Sequence, residues 1–280
     1  MSIDNAIFSE VSVDHVREYW NKRPCNIRHS PSEIGTRQYF DEVEARKYFI
    51  EPHILPFAQF ERWKGKRVLE IGCGIGTDTI NFARAGASVT AVDLSEESLA
   101  LVQKRADVFE LKNIRFYRAD AEELSSIVPV ELYDLVYSFG VIHHTPHPER
   151  AVEQIRQYMN ANSTLKIMLY YRLSWKVFWI LIKSGKGAFW RLDKLIADNS
   201  EAQFGSPVTY TYTKESIKKL LPGFEITDMW VDHIFPYRIP DYVQYRYRKV
   251  WYFRYLPQRL FRWMEKEWGW HLCVTAHLSG

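Results

Sequence analysis

The chain has 280 residues, of which 46% are hydrophobic and 15% aromatic, and its formal net charge is +3. This composition supports a sizeable buried core and excludes an intrinsically disordered chain. Three scattered cysteines favour a reducing compartment over a disulfide framework, and the first residues lack the basic and apolar segments of a secretory signal. The apolar run at 177–182 is too short to cross a bilayer. The sequence therefore predicts a soluble cytoplasmic protein.

Two helical patterns, at 11–20 and 37–49, precede a region in which short apolar strands alternate with amphipathic helices. This spacing of elements indicates a parallel sheet that is covered by helices on both faces. Ligands of such sheets bind beyond the carboxyl ends of the strands. The predicted strands are 66–71, 88–92, 113–117, 133–141 and 165–171, and the predicted helices between them are 77–85, 95–109 and 149–159.

A glycine-rich loop follows the first predicted strand, in the segment VLEIGCGIG at 68–76. Glycines there let a ligand approach bare backbone at the start of a helix. Asp93 closes the second strand, 21 residues after Gly72, where a carboxylate can accept hydrogen bonds from ribose hydroxyls. Glu70, two residues before the loop, would repel a pyrophosphate but suits a ligand with a positive amino group and a sulfonium.

These residues, with RADAEEL after the third strand and YDLVYSFGVIHHTPHPERAV around the fourth, resemble the class I S-adenosylmethionine-dependent methyltransferases. The resemblance covers about residues 66–171 and is nearest to the small-molecule group that includes ubiquinone and menaquinone biosynthesis enzymes. It implies an α/β, Rossmann-like, doubly wound sheet of seven strands, mostly parallel with an antiparallel last strand at 270–278. The domains expected are an N-terminal helical lid at 1–60 and a methyltransferase domain at 61–280, with a substrate-pocket insertion at about 172–212.

The resemblance also implies the cofactor, S-adenosyl-L-methionine, and the residues that bind it. The loop at 72–76 would meet the methionine part, Asp93 the ribose, and Asp120 the adenine amino group. The expected cofactor-binding residues are Glu70, Gly72, Cys73, Gly74, Gly76, Asp93, Leu94, Asp120, Ala121, Ser138 and Phe139.

Two adjacent histidines, His143 and His144, follow the fourth strand, where the transferred methyl group is expected. A hydroxyl acceptor benefits from a base, and histidine titrates near neutrality. Successive strand residues face opposite ways, so one histidine should face the methyl group, and His144 is favoured. The alternative is a site that works by alignment alone. A metal site among these histidines and His147 is disfavoured, because the adjacent pair diverges and no cysteine or acid pair lies at ligand spacing, so no metal is expected.

The acceptor is expected to be a small molecule that carries an aromatic ring or an acidic group, because tyrosines and an arginine lie near predicted strand ends. The same tyrosines could instead belong to the rim of the core. Methylation at oxygen is favoured over nitrogen or sulfur; a nicotinamide-dependent oxidoreductase and a non-catalytic cofactor-binding protein are the alternatives from other classes. The oligomeric state stays open. The expected substrate residues are Tyr19, Trp20, Tyr171, Arg172, Tyr210 and Tyr212.

Two segments outside the resemblance have unusual composition. The apolar run at 175–182 is expected to be buried against the lid, with a peripheral membrane contact as the alternative. The segment 237–270 contains eight lysines and arginines, three acids and twelve aromatic residues. No recognised nucleic-acid-binding module accompanies it, so the sequence predicts no nucleic-acid partner.

Overall fold

A computed structural model describes residues 7–185, 189–200 and 205–279 of the chain. The first six residues of the predicted lid, and residues 186–188 and 201–204 of the predicted insertion, lie outside the described residues. The seven strands are β1 (Arg67–Ile71), β2 (Ser88–Asp93), β3 (Ile114–Arg118), β4 (Leu135–Phe139), β5 (Thr164–Tyr170), β6 (Phe224–Asp232) and β7 (His271–Leu278).

The strands form one seven-stranded sheet in the order β3-β2-β1-β4-β5-β7-β6. Neighbouring strands from β1 to β5 pair in parallel, while β7 is antiparallel to both β5 and β6. Successive residues of β1 alternate between two separate buried clusters, since Val68 packs in one and Leu69 in the other. Both faces of the sheet are therefore buried, and the predicted Rossmann-like fold with an antiparallel last strand is confirmed.

Helices flank this sheet and close its edges. Ser95 caps the helix after β2, as its position in the sequence predicts, by accepting a hydrogen bond from the Ser98 backbone at 3.1 Å. The helices are α1 (Val13–Lys22), α2 (Arg37–Ile50), α3 (Ile54–Ala58), α4 (Thr77–Arg84), α5 (Glu96–Val108), α6 (Pro148–Arg156), α7 (Trp175–Ile180), α8 (Leu192–Asn199), α9 (Lys214–Leu220), α10 (Ile239–Tyr242), α11 (Trp251–Arg254) and α12 (Gln258–Trp268).

The fourth strand is shorter than the sequence predicts. It ends at Phe139, because Gly140 has a φ of +80° and turns the backbone away from the sheet. His143 and His144 then lie in a 3₁₀ turn, Ile142–His144, where the two rings are 4.2 Å apart. The expectation that they face opposite ways as strand residues is therefore wrong.

The N-terminal helix α2 is fixed to the sheet domain by Arg105 of α5, whose side chain is fully buried. One guanidinium nitrogen donates to the Phe40 carbonyl at 3.2 Å and to the Glu44 carboxylate at 2.9 Å, both on α2. The other donates to the Thr77 hydroxyl at 2.8 Å, at the start of α4. One buried cation thus joins α2, α4 and α5.

The apolar run around α7 is only half buried. Val177 and Ile180 are buried, but Phe178, Trp179 and Ile182 are exposed to 52%, 42% and 55%. The expectation that this run is buried is therefore wrong for the outer face of the helix. Among the helices in the described part of the chain, none combines the length and the apolar character that a membrane span requires.

Candidate active site

A cavity of about 1800 Å³ opens at the carboxyl ends of the parallel strands. Loops after β1, β2 and β4 line it, together with residues of α2, α7 and the segment after β6. This is the edge at which the sequence predicts ligand binding. The volume exceeds the 300–1,000 Å³ that is usual for a small-molecule site, so the cavity has room for more than one ligand.

The glycine loop adopts backbone conformations that favour glycine. Gly72 and Gly74 have φ values of +77° and +52°. A Cβ at Gly72 would lie 2.1 Å from Val141, whereas a Cβ at Gly74 would meet nothing within 4 Å. Gly72 therefore allows the loops after β1 and β4 to approach, and Gly74 leaves open space on the cavity side.

Asp93 joins the glycine loop to the end of β2. Its Oδ2 accepts a hydrogen bond from the Gly74 backbone and its Oδ1 accepts one from the Ser95 backbone, both at 2.8 Å. Burial raises the pKa of this carboxyl, although these backbone donors partly offset the effect. Asp93 thus supports the loop and also lines the cavity.

Of the eleven expected cofactor residues, seven line the cavity and four do not. Gly76 packs against α5, since a Cβ there would lie 2.2 Å from Val102. Ser138 is buried and donates to the Ile71 carbonyl at 3.0 Å. The cavity is lined by Gly72, Gly74, Asp93, Leu94, Asp120, Ala121 and Phe139, and not by Glu70, Cys73, Gly76 or Ser138.

Glu70 lies beneath the loop, in a buried polar network. Its carboxylate accepts a hydrogen bond from the Thr79 hydroxyl at 2.6 Å, and burial together with the charge of Asp78 raises its pKa to about 8. Asp78 in turn pairs with Lys47 at 2.9 Å and accepts a hydrogen bond from Tyr137 at 3.0 Å. Glu70 can therefore act on a cofactor through α4 and the loop, without touching it.

The two histidines after β4 have different environments. His144 lines the cavity, and its Nδ1 lies 2.7 Å from the Val208 carbonyl oxygen, which can only accept. Nδ1 therefore carries the proton, and in the neutral ring Nε2 is the basic nitrogen. His143 is fully buried against Tyr170, with ring centroids 3.9 Å apart, and burial lowers its pKa well below the usual value.

Two of the six expected substrate residues, Tyr19 and Trp20, line the cavity. The Trp20 ring lies 5.3 Å from the ring of His144. The structure does not bring the other four, Tyr171, Arg172, Tyr210 and Tyr212, to the cavity wall. Arg172 pairs with Asp193, the Tyr210 hydroxyl donates to the Pro146 carbonyl, and Tyr212 is 1% exposed.

Several further residues that line the cavity were not predicted from the sequence. Lys47 and Glu51 come from the end of α2, Lys176 from α7, and His271 is the first residue of β7. His233 follows β6 and also lines the cavity. Because β7 is antiparallel to the other strands, its first residue lies at the carboxyl ends of the parallel strands. The place of His271 beside the cavity could therefore have been predicted from the sequence.

The glycine loop, the cavity beside Gly74 and the Asp93 carboxylate fit a nucleoside-containing cofactor. Residues 68–162 match the sequence profile of a family described as "Methyltransferase domain". A ubiquinone biosynthesis O-methyltransferase of Aromatoleum aromaticum is 38% identical over 94 residues, which cover 33% of this chain and 39% of that protein. Another, from Coxiella burnetii (strain Dugway 5J108-111), is 28% identical over 173 residues, which cover 62% of this chain and 69% of that protein.

Solved structures share the fold over nearly the whole chain. Magnesium protoporphyrin IX methyltransferase from Synechocystis PCC 6803, with bound S-adenosylhomocysteine, gives a TM-score of 0.58 at 17% identity and covers 94% of this chain and 98% of that one. The [4+2]-cyclase SpnF gives a TM-score of 0.52 at 17% identity, with 95% and 93% covered. Such distant matches show the fold alone.

The chain has the Rossmann-like fold that these methyltransferase structures share. The profile match and the sequence relatives show that residues 68–162 form a methyltransferase domain, which is similar to that of the ubiquinone biosynthesis O-methyltransferases. The cofactor of this domain is S-adenosylmethionine.

Replacing Asp93 by Ala should weaken S-adenosylhomocysteine binding by about 1.5–3 kcal/mol, because charge-assisted hydrogen bonds to the ribose would be lost. The Gly74 backbone would also lose its acceptor. Isothermal titration of both proteins measures the change, with Asp107→Ala, at an exposed position of α5, as the control. An unchanged dissociation constant in Asp93→Ala would contradict the assignment of Asp93 to the cofactor.

Proposed function

We propose that the protein transfers a methyl group to an oxygen atom of a small molecule, with His144 as the proton acceptor. The observation that carries the proposal is the hydrogen bond of His144 to the Val208 carbonyl, which fixes Nε2 as the basic nitrogen of a ring that lines the cavity. The names of the sequence relatives, which are O-methyltransferases, support oxygen as the acceptor atom.

Bound S-adenosylmethionine would supply an activated methyl group on a sulfonium, with the thioether of S-adenosylhomocysteine as the leaving group. Gly72, Gly74 and Asp93 would hold the cofactor at the strand ends, and His144 Nε2, which is buried just behind the cavity surface, would take the hydroxyl proton of an acceptor that reaches it. Trp20 covers the His144 ring at 5.3 Å and restricts the access of water from the side of α1.

The acceptor proposed from the wall chemistry is an aromatic or acidic molecule with an apolar part. Cationic side chains of Arg46, Lys176 and Arg238 line the cavity and can pair with an anionic group. The rings of Tyr170 and Trp270, whose centroids are 4.2 Å apart, also line the cavity and offer aromatic surface.

Incubation with radiolabelled S-adenosylmethionine and a panel of phenols, catechols, carboxylic acids, amines and thiols tests this proposal. Labelled product from a phenol, catechol or acid, with release of S-adenosylhomocysteine, is the expected result. Transfer to amines or thiols alone would replace oxygen by nitrogen or sulfur. Tight cofactor binding without transfer to any member or to a lipid extract would favour a non-catalytic cofactor-binding protein.

Three exposed aromatic residues and the half-buried Tyr252 line the cavity, and we name them the aromatic rim: Trp179, Trp251, Tyr252 and Tyr255. Tyr252 lies 6.1 Å from Trp179 and 5.6 Å from Trp251, so α7 and α11 present one continuous surface. Trp251 and Tyr255 are 74% and 78% exposed, and Lys249 and Arg254 line the same cavity. Tryptophan, tyrosine and basic residues together suit an anionic membrane interface, from which an apolar acceptor could enter.

We expect the protein to co-sediment with phosphatidylglycerol vesicles at low salt and to be released at high salt, because salt screens the attraction of the basic residues. The double variant Trp179→Ala, Trp251→Ala should bind less. Leu132→Ala is the matched control, since Leu132 is 50% exposed and precedes β4, at the amino ends of the parallel strands and away from the cavity. Protein that stays in the supernatant under all conditions would contradict the membrane contact.

A further inference from the structure

We propose that Glu51, His233 and His271 form a binding site for a divalent transition-metal ion of the zinc type on the wall of the cavity. One ligating atom of each residue lies within 4.8 Å of the corresponding atoms of the other two. The distance between His271 Nε2 and Glu51 Oε1 is 3.8 Å. All three residues line the cavity that also contains Gly74 and Asp93.

The sheet topology brings these three residues together from distant parts of the chain. Glu51 follows α2, His233 follows β6, and His271 begins the antiparallel strand β7. The Trp270 backbone donates to the His233 carbonyl at 2.7 Å, which ties the two strand ends to each other. His233 has a φ of +74°, in the left-handed region that non-glycine residues rarely adopt. Such strain persists where the surroundings hold it, and it is frequent at ligand sites.

The donor set fits a borderline metal ion. Two imidazole nitrogens and one carboxylate oxygen suit Zn²⁺, Co²⁺ or Fe²⁺ better than Mg²⁺ or Ca²⁺, which prefer oxygen ligands throughout. Imidazole binds metals in its neutral form. Burial and the nearby charge of Lys176 lower the pKa of His233 to about 3, and burial also lowers that of His271 well below its usual value.

A third histidine, His53, supports the site from behind His271. His53 Nε2 lies 2.9 Å from His271 Nδ1, so these two nitrogens share one proton in a hydrogen bond. When His271 Nδ1 is the donor, its Nε2 presents a lone pair on the side of Glu51. His53 Nδ1 is buried and has no hydrogen-bond partner among the described residues. His53 is therefore a positioning residue for His271.

An ion held by three protein ligands keeps a coordination position for a further oxygen. Because the site shares its cavity with the glycine loop, that position would suit a hydroxyl or phenolate oxygen of the acceptor. This role rests on the proposed function, whereas binding of the ion does not.

Titration of the chelator-stripped full chain with Co²⁺ tests the site directly, because a cobalt ion bound to nitrogen ligands absorbs visible light. We expect one equivalent to bind and to be displaced by Zn²⁺. Glu51→Gln and His233→Asn should each weaken binding by at least about 100-fold, since each removes a ligand; changes behind the ligands alone cost 10–100-fold. Asparagine tolerates the left-handed backbone at position 233.

His15→Asn is the matched control, because His15 is an exposed histidine on α1 and its loss should leave binding unchanged. Circular dichroism establishes that each variant is folded. Absence of Co²⁺ and Zn²⁺ binding by the wild-type chain would overturn the site, whatever the variants do. Equal binding by the wild-type chain and folded Glu51→Gln would overturn it as well. No methyl transfer is measured, so failure here leaves the proposed function standing.

Discussion

Replacing His144 by Gln is expected to lower turnover by about 10²–10⁴-fold, the range by which a positioned general base accelerates proton transfer. Glutamine can still donate a hydrogen bond to the Val208 carbonyl, which His144 Nδ1 approaches to 2.7 Å, but it has no basic nitrogen. The variant should therefore keep its fold and its cofactor affinity. Turnover is measured with the best acceptor of the panel, and S-adenosylhomocysteine affinity by isothermal titration.

Two neighbouring histidines provide the matched controls. His143→Gln should stay within about tenfold of wild-type turnover, because His143 is fully buried behind Tyr170 and its contribution is to packing. His147→Gln should have no effect, since His147 lies beside Glu149, 3.6 Å away, outside the cavity wall. If His144→Gln also retained nearly full turnover, the site would work by aligning an acceptor that is already nucleophilic, and the base would be rejected.

Much of the fold was predictable because its signals are local. Short apolar strands, the loop at 72–76 and the helix cap at Ser95 each depend on a few neighbouring residues, and the structure has them where the sequence predicts. The end of β4 was predicted two residues too late. Gly140 takes a positive φ and ends the strand. The alternation of side chains between the two faces of a strand therefore does not extend to His143 and His144.

The sequence predicted the cavity residues near the glycine loop but not those that come from distant parts of the chain. The residues expected to bind the cofactor lie in one continuous stretch with a recognisable pattern, whereas the other lining residues come from α2, α7 and the ends of β6 and β7. No local pattern links Glu51 to His271. Tyr212 illustrates the remaining difficulty, because a tyrosine suits both a pocket and a core, and its position behind β5 places it in the core.

Arg105→Met should lower the free energy of unfolding by about 3–5 kcal/mol, because it removes a fully buried cation and leaves several hydrogen-bond acceptors without their donor. The Glu44 carboxylate would lose a donor at 2.9 Å, although it keeps its exposed pairing with Arg84. The Phe40 carbonyl and the Thr77 hydroxyl would also lose their donor. Urea unfolding, followed by circular dichroism, measures the loss.

Lys104→Met removes a positive charge from the neighbouring, exposed position of α5 and should change the free energy of unfolding by less than about 0.5 kcal/mol. The comparison separates the buried hydrogen bonds of Arg105 from a general effect of charge. Lys47 and Glu51 lie at the end of α2 and line the cavity. Loosening this helix should therefore also reduce the order of the cavity wall that they form. A loss below about 1 kcal/mol in Arg105→Met would mean that apolar packing of Phe40 and Val43, and not the cation, holds the helix in place.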